Sequence, residues 1–207
     1  MIADLTSDDL TITHHLDVAS LMTCSAGSQP EALGAVIASH LAVCPQCRGK
    51  LSQLSRIGEA LFEALPNAAM LGSVPSHNEV TPSSTETALY RTTPALIKEH
   101  MRTLEWTCLA SGVRAATLAL SPQATGDLCL IELAPGASLP DEPRVAADLT
   151  FVVAGSFRDD RGTFRAGDIA DFDSKPRRAP VADTLSGCVC LMASDTALIY
   201  RNSAATG

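Results

Sequence analysis

Four residues with side chains that bind metal ions, His15, His40, Cys44 and Cys47, follow the spacing H-x24-H-x3-C-x2-C. Two imidazoles and two thiolates are the donor set of a closed tetrahedral zinc site, in which the ion has a structural role. The sequence therefore predicts one Zn²⁺ ion bound by these four residues. The constraint on folding is strong, because a shared ion forces segments far apart in the chain to meet.

Helical patterns surround the predicted ligands. The stretch EALGAVIASHL at residues 31–41 has apolar residues at helical spacing and predicts a helix that carries His40. Pro45 predicts the start of another helix, running to Leu65, because its fixed φ angle suits the first helical turn. An earlier helix is expected to start near His15. The ion would then join three short helices.

Two nearby residues compete with His15 for the remaining ligand position. His14 is one, and because adjacent helical residues point about 100° apart, only one of the pair can bind the ion. Cys24 is a weaker competitor and is better explained as a small buried side chain. The four residues could also be ordinary core residues, since C-x2-C alone is a common pattern. The Pro-Gln turn between Cys44 and Cys47 favours the metal site.

Composition narrows the class of protein. The formal net charge is −8, which argues against direct nucleic-acid binding and against a zinc-finger transcription factor, because both need a basic surface. No apolar run is long enough to span a bilayer, and the N-terminal MIADLTSDDL is acidic where a signal peptide would be basic. We therefore expect a cytoplasmic protein without membrane contacts, in which the seven cysteines serve as ligands, core residues or redox sensors.

The pattern divides the chain into three parts and predicts an α+β, two-domain protein. Residues 1–65 are the zinc-binding helical bundle, residues 66–93 are a flexible linker rich in Ser, Thr and Pro, and residues 94–207 are an all-β domain. Short strands separated by Gly and Pro turns are typical of a sandwich or small barrel. The predicted strands cover residues 105–109, 113–120, 127–133, 148–153, 156–159, 168–172, 188–193 and 197–201.

These patterns together resemble the zinc-binding anti-sigma factors, in particular the ChrR-type members, which join an anti-sigma domain to a cupin-like domain. Residues 15–47, with VIASHLAVCPQCR, carry the more specific match, and residues 136–171 follow the cupin core. The resemblance implies a C-terminal jelly roll and a helical domain that wraps an extracytoplasmic-function-type sigma factor, blocking its access to RNA polymerase. It also implies a regulator without enzymatic activity that responds to a stress signal, such as reactive oxygen species.

The cupin motif has lost its metal-binding side chains. Metal-binding cupins show G-x5-H-x-H-x3,4-E-x6-G, and here Gly136 and Gly155 keep the frame. The ligand positions hold Glu142, Arg144, Asp148 and Arg178. Since a guanidinium group has no lone pair to give, the sequence predicts a salt-bridge cluster with no metal, or a weak site on Glu142 and Asp148. The alternatives are a small-anion sensor and a cupin metalloenzyme, and the latter lacks any histidine after His100.

Cys188 and Cys190 are the remaining distinctive pair. At positions i and i+2 of a strand they face the same side, so they could be oxidised together with Cys129 or Cys108 as a thiol sensor. Two small core residues are the alternative. We favour that alternative, because apolar surroundings raise the pKa of a thiol and reduce its reactivity.

Overall fold

Three helices lie within residues 11–64, the N-terminal part that the structure describes. The computed structural model describes residues 11–64, 97, 99, 101–139, 149–171 and 179–195. A segment without helix or strand leads into α1 (Val18–Ser25), followed by α2 (Glu31–Val43) and α3 (Pro45–Ala64). The Asp17 carboxylate accepts a hydrogen bond of 2.6 Å from the Ser20 backbone N–H and so caps α1. The helices predicted around His40 and from Pro45 are confirmed.

Eight antiparallel strands lie in the described residues of the C-terminal part. They are β1 (Thr107–Ala110), β2 (Val113–Leu118), β3 (Asp127–Leu133), β4 (Leu149–Asp159), β5 (Gly162–Arg165), β6 (Ile169–Asp171), β7 (Val181–Ala182) and β8 (Cys188–Ser194). The sheet order is β1-β2-β3-β8-β4-β5, with β6 and β7 also paired with β4. The predicted α+β class, with helices first and an antiparallel β domain second, is confirmed.

Strand β4 corrects one sequence prediction. Residues 148–153 and 156–159 were expected to be two strands, but β4 runs through both and only shifts register against β8 near Val153. Gly155 follows this irregularity and is paired with Cys188 inside the strand. Its φ is +70° and a Cβ atom there would overlap the carbonyl oxygen of Gly187, so the position requires glycine. The glycine lies within a strand and not in a turn. Strands β5 and β7 were not predicted, since they have only four and two residues. The strand expected at 197–201 lies outside the described residues.

The two faces of the sheet bury different side chains. Along β4, Phe151 and Val153 belong to one apolar cluster and Val152 belongs to the other, as the alternation of a strand requires. The first cluster also contains Val36 and Ile37 of α2, and α2 packs against β4 and β8. We call residues 11–64 the helical head and the described residues from 101 to 195 the β-body. Head and body therefore share one hydrophobic core, a contact that the sequence left open.

A polar contact reinforces this packing at the far end of α2. Glu31 accepts a hydrogen bond of 2.9 Å from the Ser121 backbone N–H and another from the Ser121 hydroxyl. The predicted linker at 66–93 lies outside the described residues. Among the helices of the described part, none combines the length and apolar character that a bilayer span requires.

Replacing Gly155 with Ala should destabilise the β-body. The left-handed backbone alone costs a residue with a Cβ about 1–2 kcal/mol, and the overlap with Gly187 adds to that loss. Gly34→Ala is the matched control: no atom lies within 4 Å of its Cβ position, and Ala in mid-helix is favoured by roughly 0.5–1 kcal/mol. Urea denaturation followed by circular dichroism should give changes in stability of opposite sign for the two variants; equal stabilities would contradict the left-handed backbone and the close approach to Gly187 at this position.

Candidate metal centre

Three of the four predicted ligands meet at the junction between α2 and α3. His40 lies in the last turn of α2, Cys44 caps it, and Cys47 lies in the first turn of α3. Cys44 is extended, with φ −102° and ψ 100°, because the proline that follows disfavours helical geometry in the residue before it. Pro45 then starts α3 without an unpaired N–H. The chain thus turns between the helices with both sulfurs on the inside.

The fourth side chain comes from the segment before α1 and not from a helix. His15 precedes α1 by three residues, which corrects the expectation that adjacent residues there point about 100° apart. His15 reaches the two cysteines, while His14 stacks on Phe164 of the β-body with ring centroids 4.0 Å apart. Cys24 lies outside the group of four.

The geometry of the group fits a tetrahedral ion. The Nδ1 atom of His15 lies 3.3 Å from the Sγ of Cys44 and 3.7 Å from the Sγ of Cys47. The Nε2 atom of His40 lies 3.3 Å from the Sγ of Cys47, and all four ligand atoms lie within 4.8 Å of one another. Zinc with Zn–S near 2.3 Å and Zn–N near 2.0–2.1 Å requires edges of roughly 3.3–3.8 Å. The donor set and its spacing therefore suit zinc.

Both imidazoles are held in the neutral form that binds metals. Burial lowers the pKa of His40 to about 4, more than offsetting the opposite effect of the Gly167 carbonyl. Burial also lowers the pKa of His15, and the nearby Lys50 adds to this effect. The Nδ1–H of His40 donates to the Gly167 carbonyl oxygen at 2.9 Å, so Nε2 keeps its lone pair for the ion.

Burial in the head opposes ionisation of the Cys47 thiol, and the charge of a metal ion would favour it. Burial is the main cause that raises the pKa of Cys47, and the neighbouring Cys44 adds to it. A dication between the two sulfurs reverses this balance. The junction is also braced by Arg48, whose Nη1 atom donates to the carbonyl oxygens of Leu41 and Ala42 at 2.7 and 3.0 Å. The guanidinium group thereby satisfies the open end of α2.

Comparisons with known proteins agree with this architecture. The family model of the ChrR cupin-like domain matches residues 95–196. The chain is 31% identical to the anti-sigma-E factor ChrR of Cereibacter sphaeroides, over 93% of this chain and 94% of ChrR. The chain belongs to the ChrR family. A crystal structure of Rhodobacter sphaeroides SigE in complex with the anti-sigma factor ChrR superposes with a TM-score of 0.69 and 32% identity, over 89% of this chain and 100% of that chain.

The four side chains of the predicted degenerate pocket lie outside the described residues. The gaps at 140–148 and 172–178 contain Glu142, Arg144, Asp148 and Arg178. The salt-bridge cluster, the weak metal site and the anion pocket thus stay predictions from the sequence.

The cysteine pair of the family's β-domain lies inside the body. Cys188 and Cys190 are buried with their sulfurs 3.4 Å apart, while Cys129 on β3 is buried and Cys108 on β1 is exposed. The neighbouring Cys188 thiol and then burial raise the pKa of Cys190 well above its ordinary value. Burial raises that of Cys129 to about 12. The raised pKa values of Cys129 and Cys190 reduce the reactivity of these two thiols, which agrees with the core interpretation; the redox role stays a prediction.

One residue at the centre was not singled out in the sequence. The Asp168 side chain is fully buried and accepts hydrogen bonds from Thr13 and His14, the two residues before His15. Burial alone would raise its pKa, but the donors of Arg165, His14 and Thr13 hold that pKa below its ordinary value. An Asp after the Ala166-Gly167 turn is a common turn residue, so the sequence carried no signal of a partner so far away.

Replacing Cys44 and Cys47 together with Ala should abolish zinc binding. Structural zinc contributes on the order of 10 kcal/mol to the folding of small zinc domains, so the variant should also lose helical signal and melt at lower temperature. Cys24→Ala is the matched control, because that thiol lies in the head outside the group of four. Zinc per chain by elemental analysis, with thermal melts, checks both effects. Full zinc content in the double variant would contradict the assignment.

Proposed function

We propose that this chain is a cytoplasmic anti-sigma factor whose head holds one Zn²⁺ through His15, His40, Cys44 and Cys47. The head binds an extracytoplasmic-function-type sigma factor and keeps it from RNA polymerase until a signal, such as oxidative stress, releases it. Membership of the ChrR family and the superposition on the SigE–ChrR complex support this proposal. The family is one of regulators, so we assign the chain neither enzymatic activity nor direct contact with nucleic acid.

The observation that carries the proposal is the apolar surface of α1 and α3. Four large apolar side chains on these two helices are exposed, in pairs one helical turn apart: Val18 61%, Met22 56%, Ile57 58% and Leu61 65%. Unpaired apolar residues at i and i+4 on a helix are typical of a helix that docks into a partner's groove. Such an apolar helical surface can pack against a sigma factor, which is a protein partner.

Helix α3 extends this surface beyond the shared core. Leu51 and Leu54 pack against the core cluster, but residues 56–61 are all exposed, so no described residue covers this part of α3. Isolated helical turns are marginal in water and are normally stabilised by packing. A bound sigma factor would cover these exposed turns of α3 and stabilise them.

Zinc serves this function by fixing the arrangement of the helices. The four predicted ligands tie the segment before α1 to the end of α2 and the start of α3. The buried face of α2 packs against the β-body. The exposed apolar residues of α1 and α3 are therefore the part of the head that binds the sigma factor. Loss of the ion would free the segments whose relative positions define the binding surface.

Substituting Asp for both Ile57 and Leu61 should impair sigma-factor binding without affecting zinc. Each aliphatic side chain buried at an interface contributes about 1.5–3 kcal/mol, so the double variant should bind at least about 100-fold more weakly. Leu185→Asp, at a side chain that is 90% exposed on the β-body, is the matched control. Affinity for the sigma factor encoded beside this chain, measured by calorimetry, tests the proposal. Equal affinities of the two variants would place the interface elsewhere.

The metal content of the complete chain should be one zinc ion. The head supplies a full set of four ligands, whereas two of the four predicted cupin positions hold arginines, which cannot coordinate a cation. Elemental analysis of the purified chain, alone and in complex with the sigma factor, checks this value. Two ions per chain, of which one persists after Cys44→Ala and Cys47→Ala, would show a metal site in the β-domain.

A further inference from the structure

We propose that the β-body forms the outer sphere of the zinc centre, with Asp168 and the Gly167 carbonyl positioning the two histidine ligands. The inference rests on the zinc binding in the proposed function and adds a regulatory consequence. The affinity of the head for zinc becomes a property of the turn between β5 and β6, which belongs to the other domain.

Asp168 forms hydrogen bonds with the two residues that precede His15. Its Oδ1 atom accepts the backbone N–H of Thr13 at 2.7 Å and that of His14 at 3.0 Å. Its Oδ2 atom accepts from the Nδ1 of His14 at 3.1 Å and from the Thr13 hydroxyl at 3.2 Å. One buried carboxylate thus receives four hydrogen bonds from the two residues before His15. Hydrogen bonds to an ionised carboxylate are stronger than those to a neutral acceptor. The four bonds to Asp168 therefore fix the residues directly before His15.

Gly167 orients the His40 ring through a hydrogen bond to its carbonyl oxygen. Its carbonyl oxygen can only accept, so the contact of 2.9 Å with Nδ1 requires the proton on that nitrogen. The ring is thereby held with Nε2 facing Cys47 at 3.3 Å. Zinc-bound histidines usually donate their other N–H to a carbonyl or carboxylate in this way. In this protein the acceptor lies 127 residues away in the chain.

The turn that carries both acceptors is itself anchored in the β-body. The Gly167 N–H donates to the Val152 carbonyl at 2.9 Å, and the Val152 N–H donates to the Asp168 carbonyl at 3.0 Å. Asp168 also accepts the Arg165 N–H through Oδ2 at 2.9 Å. These bonds tie the turn to β4. A displacement of this part of β4 or of the turn therefore moves the partners of both histidines.

Zinc binding and the contact between head and body are thermodynamically linked in this arrangement. If contact with the turn strengthens zinc binding by some factor, zinc must strengthen the contact between head and body by the same factor. A signal that rearranges the β-body near the turn then weakens the hold on the ion that orders α1 and α3. The turn thus provides a direct physical route from the cupin-like domain to the sigma-binding head.

Zinc affinity of the full chain tests the inference. Competition with a chromophoric chelator should give a 10–100-fold weaker affinity for Asp168→Ala, the usual effect of removing an outer-sphere partner. Asp168→Asn keeps one carbonyl acceptor and should lie between this variant and the unchanged protein. The absorption of the Co²⁺-substituted protein should retain its thiolate bands, since the ligands are the same, but its d–d bands should shift in Asp168→Ala.

Two control variants separate positioning from general loss of structure. Glu31→Gln weakens the contact between head and body at Ser121, away from the ligands. Asp183→Ala removes a carboxylate that caps backbone N–H groups at Leu185 and Ser186 within the β-body. Both should bind zinc as the unchanged protein does.

The outcomes distinguish the inference from the proposed function. If Asp168→Asn, and Asp168→Ala where it folds, match the two controls in zinc affinity and Co²⁺ spectrum, the inference is overturned while zinc binding stands. If Glu31→Gln weakens zinc as much as Asp168→Asn does, docking alone is responsible and the positioning role is also overturned. If the unchanged protein binds no zinc, the metal part of the proposed function fails first.

Discussion

The convergence of two imidazoles and two thiols at a single point is the constraint on which the rest of the structure depends. His40, Cys44 and Cys47 are almost entirely excluded from solvent and His15 is half-buried, and buried polar groups without partners are costly. A shared ion would supply a partner for all of them at once. The head needs that contribution because its helices have little core of their own: α2 is buried against the sheet, and the outer part of α3 is exposed.

The sheet does more than cover α2. Strand β4 alternates its side chains between the core shared with the head and the interior of the β-body, so one strand supports both. The turn between β5 and β6 returns the chain to the head and presents a carbonyl and a carboxylate beside the metal ligands. Helices and sheet therefore form one packed unit around the candidate metal centre, and the apolar residues of α1 and α3 stay exposed.

Much of the fold could be predicted because its signals are local. Pro45 marked the start of α3, and strand β3 was predicted with the bounds that the structure shows, since apolar runs between turn residues are visible in the sequence. The failures also have local causes. Gly155 looked like a turn because glycine serves turns and bulges alike, and β5 and β7 are too short for their periodicity to register.

The sequence by itself singled out His40, Cys44 and Cys47 as zinc ligands, because few side chains bind zinc and their spacing around Pro45 leaves little freedom, and it placed His15 in competition with His14 and Cys24. It also carried the ChrR resemblance and predicted the loss of the cupin ligand side chains. The tertiary structure alone decided that His15 joins this group from a segment outside any helix, that α2 docks on the sheet, and that Asp168 holds the residues before His15. The contacts of Asp168 with these residues, and those of α2 with β4 and β8, join positions more than a hundred residues apart. No local pattern encodes a contact made only when the sheet closes against the head.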